Sequence, residues 1–200
     1  ATTEIYTLSL HDALPICWAR DPVTGKSMTV PADMTYAQWY EKYVEKKAPG
    51  LTEEEEYAIN RWVSSDFYAI NEKLRQGIEL TSEEKSAITN LDRTLEKFPR
   101  YNGLVKRSLI ISDPTELQRF VNTHTVGNTV TYNEYIAATC GKTYNPDAEV
   151  QIYIPHSKNG RDIRSVNPDE QEVLYERNSS FEVLNVIQRE QEVKIFLREL

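Results

Sequence analysis

The chain has 200 residues, with 31 acidic against 23 basic side chains and a formal charge of −8 when histidine is neutral. That length holds one domain plus an attached segment. An acidic chain without a basic stripe argues against nucleic-acid binding, which needs clustered Lys and Arg to displace counterions, and no apolar run approaches the roughly 18 residues of a membrane span.

Ala1 to Ile16 (ATTEIYTLSLHDALPI) resembles a translated sequencing-library adapter: one frame of that synthetic DNA gives the whole segment in order. A signal peptide is a poor alternative, since the segment lacks a basic n-region and puts His11 and Asp12 inside its apolar run. The expectation is that residues 1–16 are an adapter-derived scar, excluded from fold reasoning, and that the natural chain was longer. Removing Glu4 and Asp12 with the scar leaves a formal charge of about −6 by the same counting.

Residues 17–50 read as a separate piece. Asp21-Pro22 and Thr24-Gly25 signal turns, and Pro31 breaks the chain before a short helix. Thr35 followed by Gln38 has the form of a capping box, opening an amphipathic stretch with Trp39, Tyr40, Tyr43 and Val44. The wording RDPVTGKSMTVPADMTYAQWYEKYV resembles the C-terminal end of phage minor head (Mu F-like) proteins. The other reading of this stretch is an extra N-terminal helix of the domain that follows.

Leu51 to Phe98 is expected to be helical. Thr52 with Glu55 and Thr81 with Glu84 are capping boxes, Asp66 starts a short helix carrying Ile70 and Leu74, and Gly77 ends it. Tyr57, Ala58 and Trp62 fall close to one face, as do Ile88, Leu91, Leu95 and Phe98, and all are read as core. Pro99 stops the last helix. The period then changes: Leu104 to Leu109, Val150 to Ile154, Glu172 to Arg177, Phe181 to Gln188 and Val193 to Leu197 are short β-type runs between polar turns. Asp113-Pro114 suits an N-cap with proline at the first helical position, predicting a helix over Thr115 to Val121. Helices first and strands afterwards make an α+β domain over residues 51–200.

Cys17 and Cys140 cannot make a disulfide framework, which points to a reducing compartment. His124 and His156 stand alone, so no metal site is expected. The sharpest local feature is Glu170-Gln171-Glu172 entering Val173-Leu174-Tyr175. Residues two apart in a strand share a face, so the two carboxylates are expected side by side, repelling and pushing one pKa upward. A solvated, charge-rich turn before a strand is the competing reading of those three residues taken alone.

EQEVLYERNSSFEVLNV resembles the ExE strand and its successor in arginine-specific mono-ADP-ribosyltransferases of the exotoxin-like branch. YNGLVKRSL is similar to that family's first signature, in which an arginine ends a strand, and YIAATCGKTYNPDAEVQIYI stands in place of its Ser-Thr-Ser strand and following loop. The resemblance implies an N-terminal helical lobe followed by two small packed β-sheets around an NAD cleft. It also implies NAD as a consumed co-substrate, with no metal. Carried over, Arg107 would bind the NAD phosphates through paired hydrogen bonds. Glu172 would accept from the nicotinamide ribose 2′-OH and stabilise positive charge as the glycosidic bond breaks. Glu170 would orient an acceptor guanidinium and help it lose its proton. Thr139 and Tyr144 would complete the NAD-binding set, Tyr144 by stacking on nicotinamide; packing or solvent exposure is its alternative.

Two departures stand out. Ala137, Ala138, Thr139 and Cys140 occupy the Ser-Thr-Ser position, leaving only Thr139 with a hydroxyl, and Ser108 replaces a common glycine. Losing one such hydrogen bond costs about 0.5–1.5 kcal/mol. Cys140 has no neighbouring base that would make it a nucleophile. Three functions therefore compete: a phage-delivered or toxin-like transferase acting on a host protein arginine, a non-catalytic appendage of a phage head, and an NAD glycohydrolase. The expected partners are the host acceptor protein and, through the missing N-terminal region, phage head proteins. The expected location is the phage particle and then host cytoplasm, or that of a secreted effector.

Overall fold

The computed structural model describes residues 18–20, 27–29, 50–64, 66–189 and 192–200. The chain divides into two units, Ala1–Pro49 and Gly50–Leu200. In the first, β1 (Trp18–Arg20) and β2 (Ser27–Thr29) pair antiparallel, flanking the turn signals at Asp21-Pro22 and Thr24-Gly25. The adapter-like residues 1–16 and the expected helix after Thr35 lie outside the described residues.

The second unit opens with three helices, α1 (Glu53–Val63), α2 (Tyr68–Gln76) and α3 (Ser82–Leu95). Thr52 and Thr81 form complete capping boxes with Glu55 and Glu84, satisfying backbone donors that a helix start leaves unpaired. Phe67, not Asp66, stands at the N-cap position of α2 without a side-chain cap bond, and Gly77 closes the helix with φ of 68°, a left-handed conformation that costs glycine little. α4 (Pro114–Thr123) begins as predicted, Asp113 accepting from Glu116 N at 2.8 Å, and runs two residues further than expected.

The strands are β3 (Gly103–Leu109), β4 (Thr129–Tyr132), β5 (Ile136–Thr139), β6 (Val150–Ser157), β7 (Arg161–Asp162), β8 (Glu172–Tyr175), β9 (Ser179–Arg189) and β10 (Glu192–Glu199). β4 and β7 were not anticipated. β8 stops at Tyr175 because the chain turns at once into β9, with Asn178 left-handed at φ of 63°. The order across the sheet is β4-β9-β10-β6-β3-β5-β8-β7, with only β10 and β6 parallel. Two separate sheets were expected; the structure instead joins them into one. β3 runs along β6 for most of its length and meets β5 at a single pair, Lys106↔Thr139. Both arms contribute to one core, in which Val105, Ile136, Val173 and Tyr175 cluster with Phe181, Val183, Val193 and Ile195.

A second core lies under the helices and contains Ile59, Phe67, Ile70, Leu91, Leu95, Tyr135 and Leu174. β8 divides the two. Val173 and Tyr175 face the first core, and Leu174 faces the helical one, as the two-residue strand period requires. Glu172 has the parity of Leu174, so β8 aims its carboxylate toward the helical lobe.

Candidate active site

A cleft of ≈ 310 Å³ opens between α1, α2 and the β3-β5-β8 arm of the sheet. Arg107, Thr139, Tyr144, Glu170 and Glu172, the five residues singled out from the sequence, all line it.

Glu172 begins β8 and is 3% exposed. Trp62 Nε1 donates to its Oε1 at 2.8 Å, and Asn167 Nδ2 donates to its Oε2 at 2.7 Å. Burial pushes the carboxyl pKa above the usual range. The bonds from Trp62 and Asn167 and the charge of Arg107 pull it down, while Glu170 adds to the rise. Burial therefore exceeds carboxylate repulsion as the cause of the expected upward shift.

The side-by-side arrangement of Glu170 and Glu172 arises differently from the expected strand alternation. β8 starts only at Glu172, and Gln171 is left-handed at φ of 50°, so Glu170 belongs to the turn. The two carboxylates meet through Asn167, whose Nδ2 also reaches Glu170 Oε2 at 3.2 Å. Glu170 is exposed. The turn itself is tied to β5 by Cys140 N donating to Gln171 O at 3.0 Å and Cys140 Sγ donating to the same oxygen at 3.4 Å. Burial raises the Cys140 thiol pKa, which agrees with a bracing rather than a nucleophilic cysteine.

Arg107 is half-buried near the end of β3. Its Nη1 donates to Ala137 O at 2.8 Å, just past the pair where β3 and β5 meet. This uses one of five guanidinium N–H donors. Burial lowers its pKa, from a starting point high enough that the group stays charged. Arg75, on α2, lines the same cleft and is held by Glu134 Oε1 at 3.0 Å and Glu72 Oε2 at 2.7 Å. Lys106 adds a third cation to the lining.

Thr139 is buried, and its Oγ1 accepts from Gly141 N at 3.0 Å. Tyr144 is 69% exposed at the rim, so core packing does not describe it. Its loop is pinned by Ser108, whose Oγ accepts from Asn145 N at 3.2 Å and donates to Gln151 Oε1 at 2.8 Å. The serine that replaces a glycine thus anchors the loop carrying Tyr144.

Trp62 and Asn167 were missed. Trp62 was assigned to the core; one edge does pack there, against Phe67 and Tyr135 at centroid distances of 5.9 and 5.7 Å, but its N–H enters the cleft. An aromatic at helical spacing carries no local signal of that second role. Asn167-Pro168 reads as a turn, and its reach to both carboxylates depends on the fold of that turn.

Residues 35–199 match the family model described as ADP-ribosyltransferase exoenzyme. The match begins at Thr35, so it includes part of the stretch otherwise read as a phage-head remnant. The arginine ADP-ribosyltransferase Tre1 of Serratia proteamaculans is 26% identical over 153 residues, 75% of this chain and 33% of Tre1. The chain therefore spans about a third of the length of that curated relative. Among solved structures, Plx2a of Paenibacillus larvae superposes with a TM-score of 0.62 at 20% identity, covering 82% of this chain and 94% of that one. The type III effector XopAI of Xanthomonas axonopodis pv. citri gives 0.64 at 21%, covering 82% and 69%. The ADP-ribosylating toxin BECa of C. perfringens, solved with NADH, gives 0.62 at 17%, covering 82% and 47%. These structures share its fold, and the extent of the family match makes the chain a member of the ADP-ribosyltransferase exoenzyme family.

Proposed function

We propose that the chain is an NAD-dependent protein ADP-ribosyltransferase directed at arginine. The observation that carries this reading is Glu172: a nearly inaccessible carboxylate, fixed at both oxygens, in the same cleft as Arg107. The residues present fit NAD. Arg107, with Arg75 and Lys106 nearby, supplies cations for a diphosphate. Glu172 supplies an acceptor for a ribose hydroxyl, and Tyr144 an exposed ring at the rim. The cleft volume lies at the lower end of the range for small-molecule sites.

In this reading the bond between nicotinamide nitrogen and ribose C1′ breaks, and nicotinamide leaves with the electron pair. Glu172, held away from water, opposes the positive charge that builds on the ribose. An acceptor guanidinium nitrogen then bonds to C1′ and gives up a proton, which Glu170 is placed at the exposed end of the pair to receive. Thr139 and Ala137 contribute through the backbone of β5, which aligns Thr139 opposite Glu172 and presents Ala137 O to Arg107.

The finer reading, delivery by a phage particle to a host cytoplasm, is supported by the head-protein resemblance of residues 20–44. Detecting the chain in purified particles would test it. For the activity, the chain is incubated with labelled NAD and a host-type lysate beside Glu172→Gln. Label should move onto protein in the wild type only. Nicotinamide release without protein labelling would favour the glycohydrolase, and absence of turnover in the folded chain would leave a structural appendage.

A further inference from the structure

The Glu172 carboxylate receives its two hydrogen bonds, among the described residues, from Trp62 and Asn167. β5, the hydrogen-bonded neighbour of β8, supplies neither. Thr139 lies directly across from Glu172, but its hydroxyl is turned to Gly141 N, and Ala137 and Ala138 have no side-chain donor. The donor that fixes Oε1 comes instead from the helical lobe, 110 residues away in sequence.

We propose that Trp62 is a positioning residue for Glu172, locking the plane of its carboxylate from outside the sheet. The terminal torsion of a glutamate is broad, so one donor leaves the carboxylate free to rock, whereas donors on both oxygens define its plane. Asn167 holds Oε2 from the turn before β8, and Trp62 holds Oε1 from the last turn of α1. The indole cannot swing away readily, because Phe67 and Tyr135 flank it and the Tyr135 ring meets it edge-on. A buried indole N–H requires an acceptor, and a backbone carbonyl would meet that need. Pairing it with the one carboxylate buried in the cleft ties the placement of α1 to the geometry of Glu172. Its bond also favours the ionised carboxylate, against the effect of burial.

The catalytic part of this inference rests on the transferase reading; the bracing part does not. In the full chain, Trp62→Phe keeps an aromatic ring and deletes the donor. Nicotinamide release should fall about tenfold in kcat, the low end for losing a hydrogen bond to a charged group. KM for NAD should stay within about twofold. Because the lost bond favoured the ionised form, the acid limb of the kcat profile should move to higher pH. A uniform loss at every pH, or a change confined to KM, would overturn the proposal. Replacing Trp62 with β-(3-benzothienyl)alanine, which swaps N–H for sulfur in a ring of nearly the same shape, gives the same comparison should the smaller Phe disturb packing. Carboxyl NMR of isotope-labelled glutamate reads the pKa of Glu172 without turnover, and it should rise in both variants. An unchanged Glu172 titration sinks the brace. A shifted titration in a chain that releases no nicotinamide sinks the enzymatic function and leaves the brace standing.

Discussion

Glu172 sets charge against burial. Its folded pKa lies above the unfolded value, so the folded state holds the carboxyl proton more tightly than the unfolded chain does. The stabilisation linked to that proton is full below the unfolded pKa and is lost as pH rises through the folded one. At neutral pH the fold has therefore lost that stabilisation, because ionising Glu172 costs the folded state more than the unfolded chain. Glu172→Gln should raise the thermal midpoint at neutral pH while abolishing label transfer, and its advantage should shrink as pH falls through the carboxylate range. Calorimetry at several pH values checks this; a variant that melts below the wild type at neutral pH would mean that the bonds from Trp62 and Asn167 outweigh burial. Glu170 is expected to behave differently, since it is exposed and meets Glu172 only through Asn167. Glu170→Gln should keep nicotinamide release near the wild-type rate and lower protein labelling about a hundredfold, the lower bound for general base assistance. Equal loss of both readouts would place Glu170 in NAD cleavage instead. Glu170 and Glu172 showed in the sequence as a paired carboxylate, whereas Arg107, Thr139 and Tyr144 were named only through the family resemblance. Trp62 and Asn167 were hidden because their roles exist only after α1 and the turn at residues 167–171 come together.

Among the elements, the helices were the most legible, for a local reason. A capping box joins groups three residues apart, and of the three read from the sequence the two that fall among the described residues, at Thr52 and Thr81, form as read. Thr81→Ala should cost about 1 kcal/mol of stability, the usual value for a lost N-cap, measured by urea unfolding. A loss of only a few tenths would show that Glu84 and Lys73, paired at 2.7 Å, hold the start of α3 without the cap. The strands were less legible. β7 has two residues and exists through its pairing with β8, and β4 is a four-residue strand at the opposite sheet edge. β7 is too short to carry a period-two pattern, while β4 (Thr129–Tyr132) alternates only over the minimum of four residues. The junction of the two sheet arms rests on one residue pair between strands 33 positions apart, Lys106↔Thr139, and nothing local encodes it. Gly160 is a further element-scale constraint with no pattern in the sequence. A Cβ there would sit 2.5 Å from Val173 Cγ1, so the turn into β7 has to pass β8 without a side chain.

Across the whole second unit, the cleft exists because the helical lobe and the sheet are fastened at several points around Tyr135. Its ring packs against both Trp62 and Phe67, and its hydroxyl donates to Asp92, which also pairs with Arg177 at 2.8 Å. Its backbone is held by a side chain that imitates a neighbouring strand: Asn71 Nδ2 donates to Tyr135 O at 3.0 Å, and Asn71 Oδ1 accepts from Tyr135 N at 2.8 Å. Asn71 is buried, so deleting its amide strands a donor and an acceptor away from water. Asn71→Ala should therefore destabilise the unit by about 1–3 kcal/mol for each group left unpaired. Activity should fall with it, because the residues after Tyr135 form β5, whose Ala137 O holds Arg107 and whose Thr139 aligns with Glu172. Urea unfolding and nicotinamide release, measured on the same preparation well below the unfolding midpoint, separate the two effects. Reduced stability with unchanged kcat would mean that the lobe and the sheet keep their registration without Asn71, so that Tyr135 and the Trp62–Glu172 bond suffice to hold the cleft. Reduced kcat in a chain that is still folded would show that the position of β5 is set from the helical side, as the placement of Glu172 is.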